Sequence, residues 1–88
     1  MSQMINVGGK SFIMLSQIEA IVPPESAPLK RLVSEAKDKG LCIDLTYGKR
    51  TKSVIFTKQG RIYLSATLPD TLSNKVSAQG NDKKGREG

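Results

Sequence analysis

The chain has 88 residues and carries fourteen Lys+Arg against eight Asp+Glu, a formal charge of +6, with no histidine, no tryptophan, one cysteine and only two Tyr and two Phe. That is room for one small domain. The inventory removes several chemistries: one cysteine forms no internal disulfide, one Cys without His cannot supply the N/S ligands of a zinc site, and no Ser-His or Cys-His nucleophile pair can be assembled. No basic leader followed by an apolar run opens the chain, and no stretch reaches the roughly 18 apolar residues of a membrane span, so a soluble intracellular protein is expected.

Met4, Ile5 and Val7 lead into Gly8-Gly9, and Phe12 to Leu15 follow, which predicts a hairpin of two short strands. A third strand, Ile18 to Val22, ends at Pro23-Pro24, where a missing amide and a restricted preceding residue stop any ladder or helix. Leu29, Leu32, Val33 and Ala36 then fall at i, i+3, i+4 and i+7, one stripe of an α-helix. Pro28 suits its first turn, Ser26 or Ala27 its cap, and Gly40 its close. Three more strands are expected, Leu41 to Tyr47, Ser53 to Thr57 and Arg61 to Ala66, spaced as an antiparallel meander.

In the first of these three strands, Leu41, Ile43, Leu45 and Tyr47 alternate with Cys42, Asp44 and Thr46 as in a half-buried strand. Val54-Ile55-Phe56 and Ile62-Tyr63-Leu64 are apolar on both faces, so each face of the sheet needs a cover. A short amphipathic turn with Leu68, Leu72 and Val76, opened by Pro69, is expected to supply part of the second cover and a neighbouring subunit the rest. Cys42 reads as a small apolar residue between Leu41 and Ile43. Residues 77–88 hold one alanine as their only apolar side chain and read as a disordered tail, leaving residues 1–76 as the domain. The tail carries +1, so the domain carries +5. The expected class is α+β: a small antiparallel sheet with one main helix and a short C-terminal one.

Between Lys49 and Arg61 stand Lys49, Arg50, Lys52, Lys58 and Arg61 with no acid among them. Three crowd the five-residue loop Gly48 to Lys52. Such a loop either approaches a phosphate backbone or is a solvated loop whose lysines discourage edge pairing. Lys30 and Arg31, in the first helical turn, where the macrodipole favours an anion, face a phosphate on the first reading and are ordinary surface charges on the second. Few aromatics interleave the basic residues, which favours duplex or shape recognition over a single-strand stacking platform. Tyr47 and Tyr63 read as core or interface residues. Asp44 is expected to orient the loop as a salt-bridge partner of Arg50 rather than act as a general base. Gly8-Gly9-Lys10-Ser11 is shaped like the end of a Walker A loop, but the earlier glycine is missing and no helix pattern follows, so it reads as a turn. No enzyme activity, cofactor or metal is expected.

The segments Ile21-Val22-Pro23-Pro24-Glu25-Ser26-Ala27-Pro28-Leu29-Lys30-Arg31, Asp38-Lys39-Gly40, Ile43 to Lys52 and Ile62 to Ala66 together resemble the RemA family of bacterial extracellular-matrix regulators, over about Met4 to Val76. The resemblance implies a non-enzymatic, cytoplasmic and nucleoid-associated DNA-binding transcriptional activator of biofilm-matrix genes. It implies a core related to the LytTR type and a closed homo-oligomeric ring of about eight subunits with duplex DNA along its basic rim. The family's basic loop falls on Lys49, Arg50, Thr51 and Lys52, the stretch the charge distribution already picks out. Two departures are visible. Gln17 stands where relatives can carry an arginine, and lysine at 49 and 52 keeps the charge of an arginine but not its fork. Two other readings fit the same physics: a small RNA-binding ring of the Sm-like kind, and a protein-interaction module whose basic loop binds an acidic partner. Neither a membrane nor a small-molecule substrate is expected as a partner.

Overall fold

A computed structural model describes residues 3–84 of the chain, with side-chain surroundings through residue 78. The chain opens with strands β1 (Met4–Gly8) and β2 (Ser11–Met14), paired antiparallel as the expected hairpin. The register shifts between Asn6 and Gly8, and the Asn6 side chain closes that irregularity: its Oδ1 accepts from the Gly8 amide at 2.8 Å and its Nδ2 donates to the Gly9 carbonyl at 2.9 Å. A single 3-10 turn, Leu15–Gln17, leads into β3 (Ile18–Val22), which stops before Pro23-Pro24 as expected.

Helix α1 spans Ala27–Asp38. Ser26 is its cap, with Oγ accepting from the Leu29 amide at 3.2 Å, and Pro28 lies in the first turn. At the other end Gly40 takes φ +73°, the left-handed residue that lets the Leu41 amide turn back to the Ala36 carbonyl at 2.8 Å. Strands β4 (Cys42–Asp44), β5 (Ser53–Thr57) and β6 (Ile62–Ser65) follow, and α2 (Pro69–Lys84) ends the described chain. The class is α+β, with two helices, a two-stranded antiparallel sheet and a four-stranded mixed sheet.

The expected meander does not form. The four-stranded sheet has the order β3-β5-β6-β4, and β4 pairs with β6 in parallel instead of with β5. The physical reason lies in the side chains. β5 and β6 are apolar on both faces and take the two central places, where both faces are covered, while short β4 with its Asp44 takes an edge. The apolar alternation in β4 is also not half-buried as expected: Leu41 and Ile43 are each 37 % exposed, and it is Cys42 that packs toward α1.

Val54 and Ile55, neighbours on β5, point to opposite faces and are 1 % and 0 % exposed. On one side α1 lays Leu29 and Ala36 over Val54, Ile62 and Leu64, with Val22, Val33, Cys42 and Phe56 at the margin. On the other, the β1–β2 hairpin brings Ile5, Val7 and Ile13 onto Ile55, and α2 adds Leu72, fully buried. The second face is therefore closed within one chain, chiefly by the hairpin, and needs no neighbouring subunit for its cover. Of the three residues expected on the C-terminal turn, Leu72 and Val76 pack inward and Leu68 is half exposed. The helix continues past Val76 to Lys84, through the first part of the segment expected as a disordered tail; residues 85–88 of that expectation lie outside the described residues.

Truncation of Leu72 leaves a cavity where helix, hairpin and sheet meet. Leu72→Ala is expected to cost about 2–5 kcal/mol in urea-unfolding midpoint analysis, against less than about 1 kcal/mol for Leu68→Ala just before the same helix.

Candidate functional site

The loop between β4 and β5 is built on backbone hydrogen bonds before any charge is placed on it. Asp44 accepts from the Thr46 amide at 2.8 Å and from Thr46 Oγ1 at 2.6 Å, and the Lys49 amide donates to the Thr46 carbonyl at 3.0 Å. Thr46 itself is buried. At the loop's ends the Leu45 amide bonds the Leu64 carbonyl and the Lys52 amide bonds the Ser65 carbonyl, each at 2.8 Å. Both anchor points lie at the same end of β6. Ser65 Oγ donates in turn to the Val7 carbonyl, which ties the hairpin to this end of the sheet.

Lys49, Arg50 and Lys52 are exposed on this fixed turn, and Thr51 between them is half-buried. Thr51 and Val54 meet Pro24, Leu29, Lys30, Val33, Ser34 and Lys37 around a cleft of about 350 Å³ whose floor is apolar and whose rim is cationic. Lys30 thus lies beside the loop. Arg31 does not line the cleft, since one residue further along a helix is about 100° further round it. Lys37 was absent from the residues singled out in the sequence, although its i+7 spacing from Lys30 was the signal that both occupy one flank of α1.

The five basic residues between positions 49 and 61 are split by the fold. Lys58 and Arg61 flank the β5–β6 turn, a strand length away from Lys49 to Lys52, roughly 17 Å for five residues. Gln17 lies at that far end, its carbonyl accepting from the Lys58 amide at 2.9 Å. Arg61 shares a groove with Glu19, Glu35 and Lys39, so the far end is of mixed charge while the loop end is cationic.

Asp44 does not serve as the salt-bridge partner of Arg50 that the sequence led us to expect. The two hydrogen bonds from Thr46, with a smaller contribution from Lys37, hold its carboxyl below the usual aspartate range. It orients the loop through Thr46 instead. Tyr47 is not a core residue either: it is 68 % exposed, with φ +54° in the left-handed region that non-glycine residues seldom occupy. Tyr63 is half-buried against the hairpin-side core. Burial pushes the Cys42 thiol above its usual range, partly opposed by Lys37, so the side chain stays neutral at pH 7. Among the described residues no group of three or more His, Cys, Asp or Glu stands together as a metal site, and no helix is long and apolar enough to cross a membrane.

The fold and this surface define a small α+β domain with one cationic end. Residues 4–76 match the RemA-like family, described as extracellular matrix regulatory protein A-like, and the chain belongs to that family. It is 47 % identical over 77 residues to a Heliobacterium modesticaldum protein, covering 88 % of this chain and 85 % of that one. A Clostridium botulinum relative is 40 % identical over 86 residues, 98 % of this chain and 94 % of its own, and an Alkaliphilus oremlandii relative 43 % over 81, 92 % and 87 %. All three bear names of the form "Putative regulatory protein".

The Asp44–Thr46 contact predicts a titration. In Thr46→Val the hydroxyl bond is lost and the Asp44 pKa, read by NMR, rises toward the ordinary aspartate value. Because the folded-state pKa is lowered, the contribution of this contact to stability is full above the ordinary aspartate pKa and is lost as pH falls through the folded one.

Proposed function

We propose that this chain is a non-enzymatic DNA-binding regulator of transcription that binds duplex DNA through Lys49, Arg50, Thr51 and Lys52, with Lys30 beside them. The observation that carries the reading is the fixed, exposed loop: its three cations are presented on a backbone already ordered by hydrogen bonds, so little ordering entropy opposes phosphate contact. Membership in a family described as matrix-regulatory supports transcriptional control, with activation of biofilm-matrix genes as the family's implied output. Arg31 has a weaker claim than Lys30, since it stands off the cleft.

Assembly into a closed homo-oligomeric ring, with a core of the LytTR type, belongs to the same reading. Two exposed apolar surfaces on different layers support self-association. The outer face of the hairpin carries Met4, Phe12 and Met14, and the groove between α1 and the start of β4 carries Leu32 and Leu41. Non-identical patches on one domain suit a head-to-tail contact, which closes into a ring when the rotation per subunit divides a full turn. Repetition of a weak cationic loop around such a ring raises affinity by effective concentration and makes it steeply salt-dependent.

Two measurements test this reading. Fluorescence anisotropy of a labelled duplex of about 60 base pairs is expected to show salt-dependent binding that Lys49→Ala/Arg50→Ala loses; unchanged binding by a folded, assembled double mutant overturns it, and preference for single-stranded RNA in competition moves the function to RNA. Light scattering coupled to size exclusion is expected to give a multimeric mass for wild type that falls for Phe12→Glu or Leu41→Glu, and a wild-type monomer removes the ring.

A further inference from the structure

The turn of the β1–β2 hairpin packs against the basic loop through Tyr47. A Cβ added at Gly9 would stand 3.0 Å from Tyr47 Cε2, 3.5 Å from Cδ2 and 3.7 Å from Cζ, so the ring lies directly over the Gly9 backbone. Gly9 has φ +55°, and a side chain there meets both the strain of that conformation and the ring. Two residues on, Ser11 Oγ and the Tyr47 hydroxyl are 2.8 Å apart. Lys10 lies between the two residues that touch the tyrosine, and Lys49 follows Tyr47 by two positions. Consecutive Cα atoms are about 3.8 Å apart, so this double contact brings the Lys10 backbone beside the loop.

Tyr47 occupies an unfavourable position by ordinary criteria. It combines a positive φ with 68 % exposure in a large aromatic residue. A left-handed backbone is unfavourable in a residue of this size and persists where the surroundings hold it. Here the ring over Gly9 and the Ser11 contact hold it, and the same contacts keep the hairpin turn in place. The turn itself is closed by Asn6, whose own carbonyl accepts from Lys75 Nζ of α2 at 3.0 Å.

We infer that Lys10 is a further phosphate-contacting residue of the cationic surface and that Tyr47 is the positioning residue that holds it there. The inference rests on the duplex-binding reading of the Lys49 to Lys52 loop and extends that surface to a second, sequence-distant turn. Lys10 is exposed and stands at the loop end of the domain, not at the mixed-charge end near Arg61. Its contribution is a point charge, so an arginine serves in its place.

The test is the salt dependence of duplex binding for Lys10→Ala, Lys10→Arg, Tyr47→Ala and Tyr47→Ala/Lys10→Ala, with Arg50→Ala as the reference for the loop. Lys10→Ala is expected to bind more weakly, with a plot of log K against log salt shallower by about 0.9 for each phosphate lost, and Lys10→Arg to restore the wild-type slope. In the Tyr47→Ala background, Lys10→Ala should change the slope no further, because the hairpin turn no longer stands beside the loop. If Arg50→Ala weakens binding and Lys10→Ala leaves the slope unchanged, the inference falls while the loop reading stands. If both variants bind as wild type, or wild type binds no duplex, both fall. Full additivity of Tyr47→Ala and Lys10→Ala removes the positioning role of Tyr47. Should Tyr47→Ala fail to fold, Tyr47→Phe and Ser11→Ala, which cut only the hydroxyl contact, carry the same comparison.

Discussion

The fold depends on one constraint, that β5 has no polar face to turn toward water. Val54 and Ile55 alternate into opposite cores, and Ser53 and Thr57 at the strand's ends are buried too. A strand of this kind is stable only between two covers, and the chain supplies both from segments far apart in sequence: α1 on one face, the N-terminal hairpin and the start of α2 on the other. The buried hydroxyls are consistent with this. Ser65 Oγ donates to the Val7 carbonyl and so joins sheet to hairpin, while the Thr57 hydroxyl donates to the Arg61 carbonyl and closes the β5–β6 turn.

Closing the second face with the hairpin also arranges the surface. The Ser65–Val7 joint lies at the end of the sheet where the loop Lys49 to Lys52 leaves β4 and enters β5, so the hairpin turn and the basic loop share one end of the domain. Charges that are close in the sequence are divided between that end and the end of Lys58 and Arg61, while Lys30 and Lys37 are gathered to the loop by α1. The apolar residues left outside are also divided: the hairpin's outer face on one layer, Leu32 and Leu41 beside α1 on another. The cationic surface and the apolar surfaces of this chain thus lie on separate faces of one three-layer frame.

Local pattern determined much of this chain. Helix α1 and most strands followed from periodicity or punctuation near their own residues: the stripe from Leu29 to Ala36 with Ser26 and Gly40 at its ends, the hairpin around Gly8-Gly9, the stop at Pro23-Pro24. The strand expected over Leu41 to Tyr47 shortened to Cys42–Asp44, and α2 ran on to Lys84 through the segment expected as a tail. The cationic loop was visible as composition. These features were legible because capping, turn chemistry and 3.6-residue periodicity act over a few positions.

What only the tertiary structure decided is what depends on residues far apart in sequence. Nothing local in Cys42-Ile43-Asp44 distinguishes a partner in β5 from a parallel partner in β6; that was settled by competition among strands for the doubly covered places. The cover of the second face, sought in a neighbouring subunit, came from a hairpin some forty residues upstream of β5, because its alternating Ile5, Val7 and Ile13 fit the face that Ile55 leaves open. Asp44 turned from a partner of Arg50 into a cap on Thr46, since a carboxylate two residues from a free amide reaches it at less entropic cost than it reaches a long side chain across the loop. The place of Tyr47 over Gly9 has the same origin. The sequence alone determined helix α1, the hairpin, the central strands and the cationic loop, whereas contact between Tyr47 and Gly9 required the layers to be stacked first.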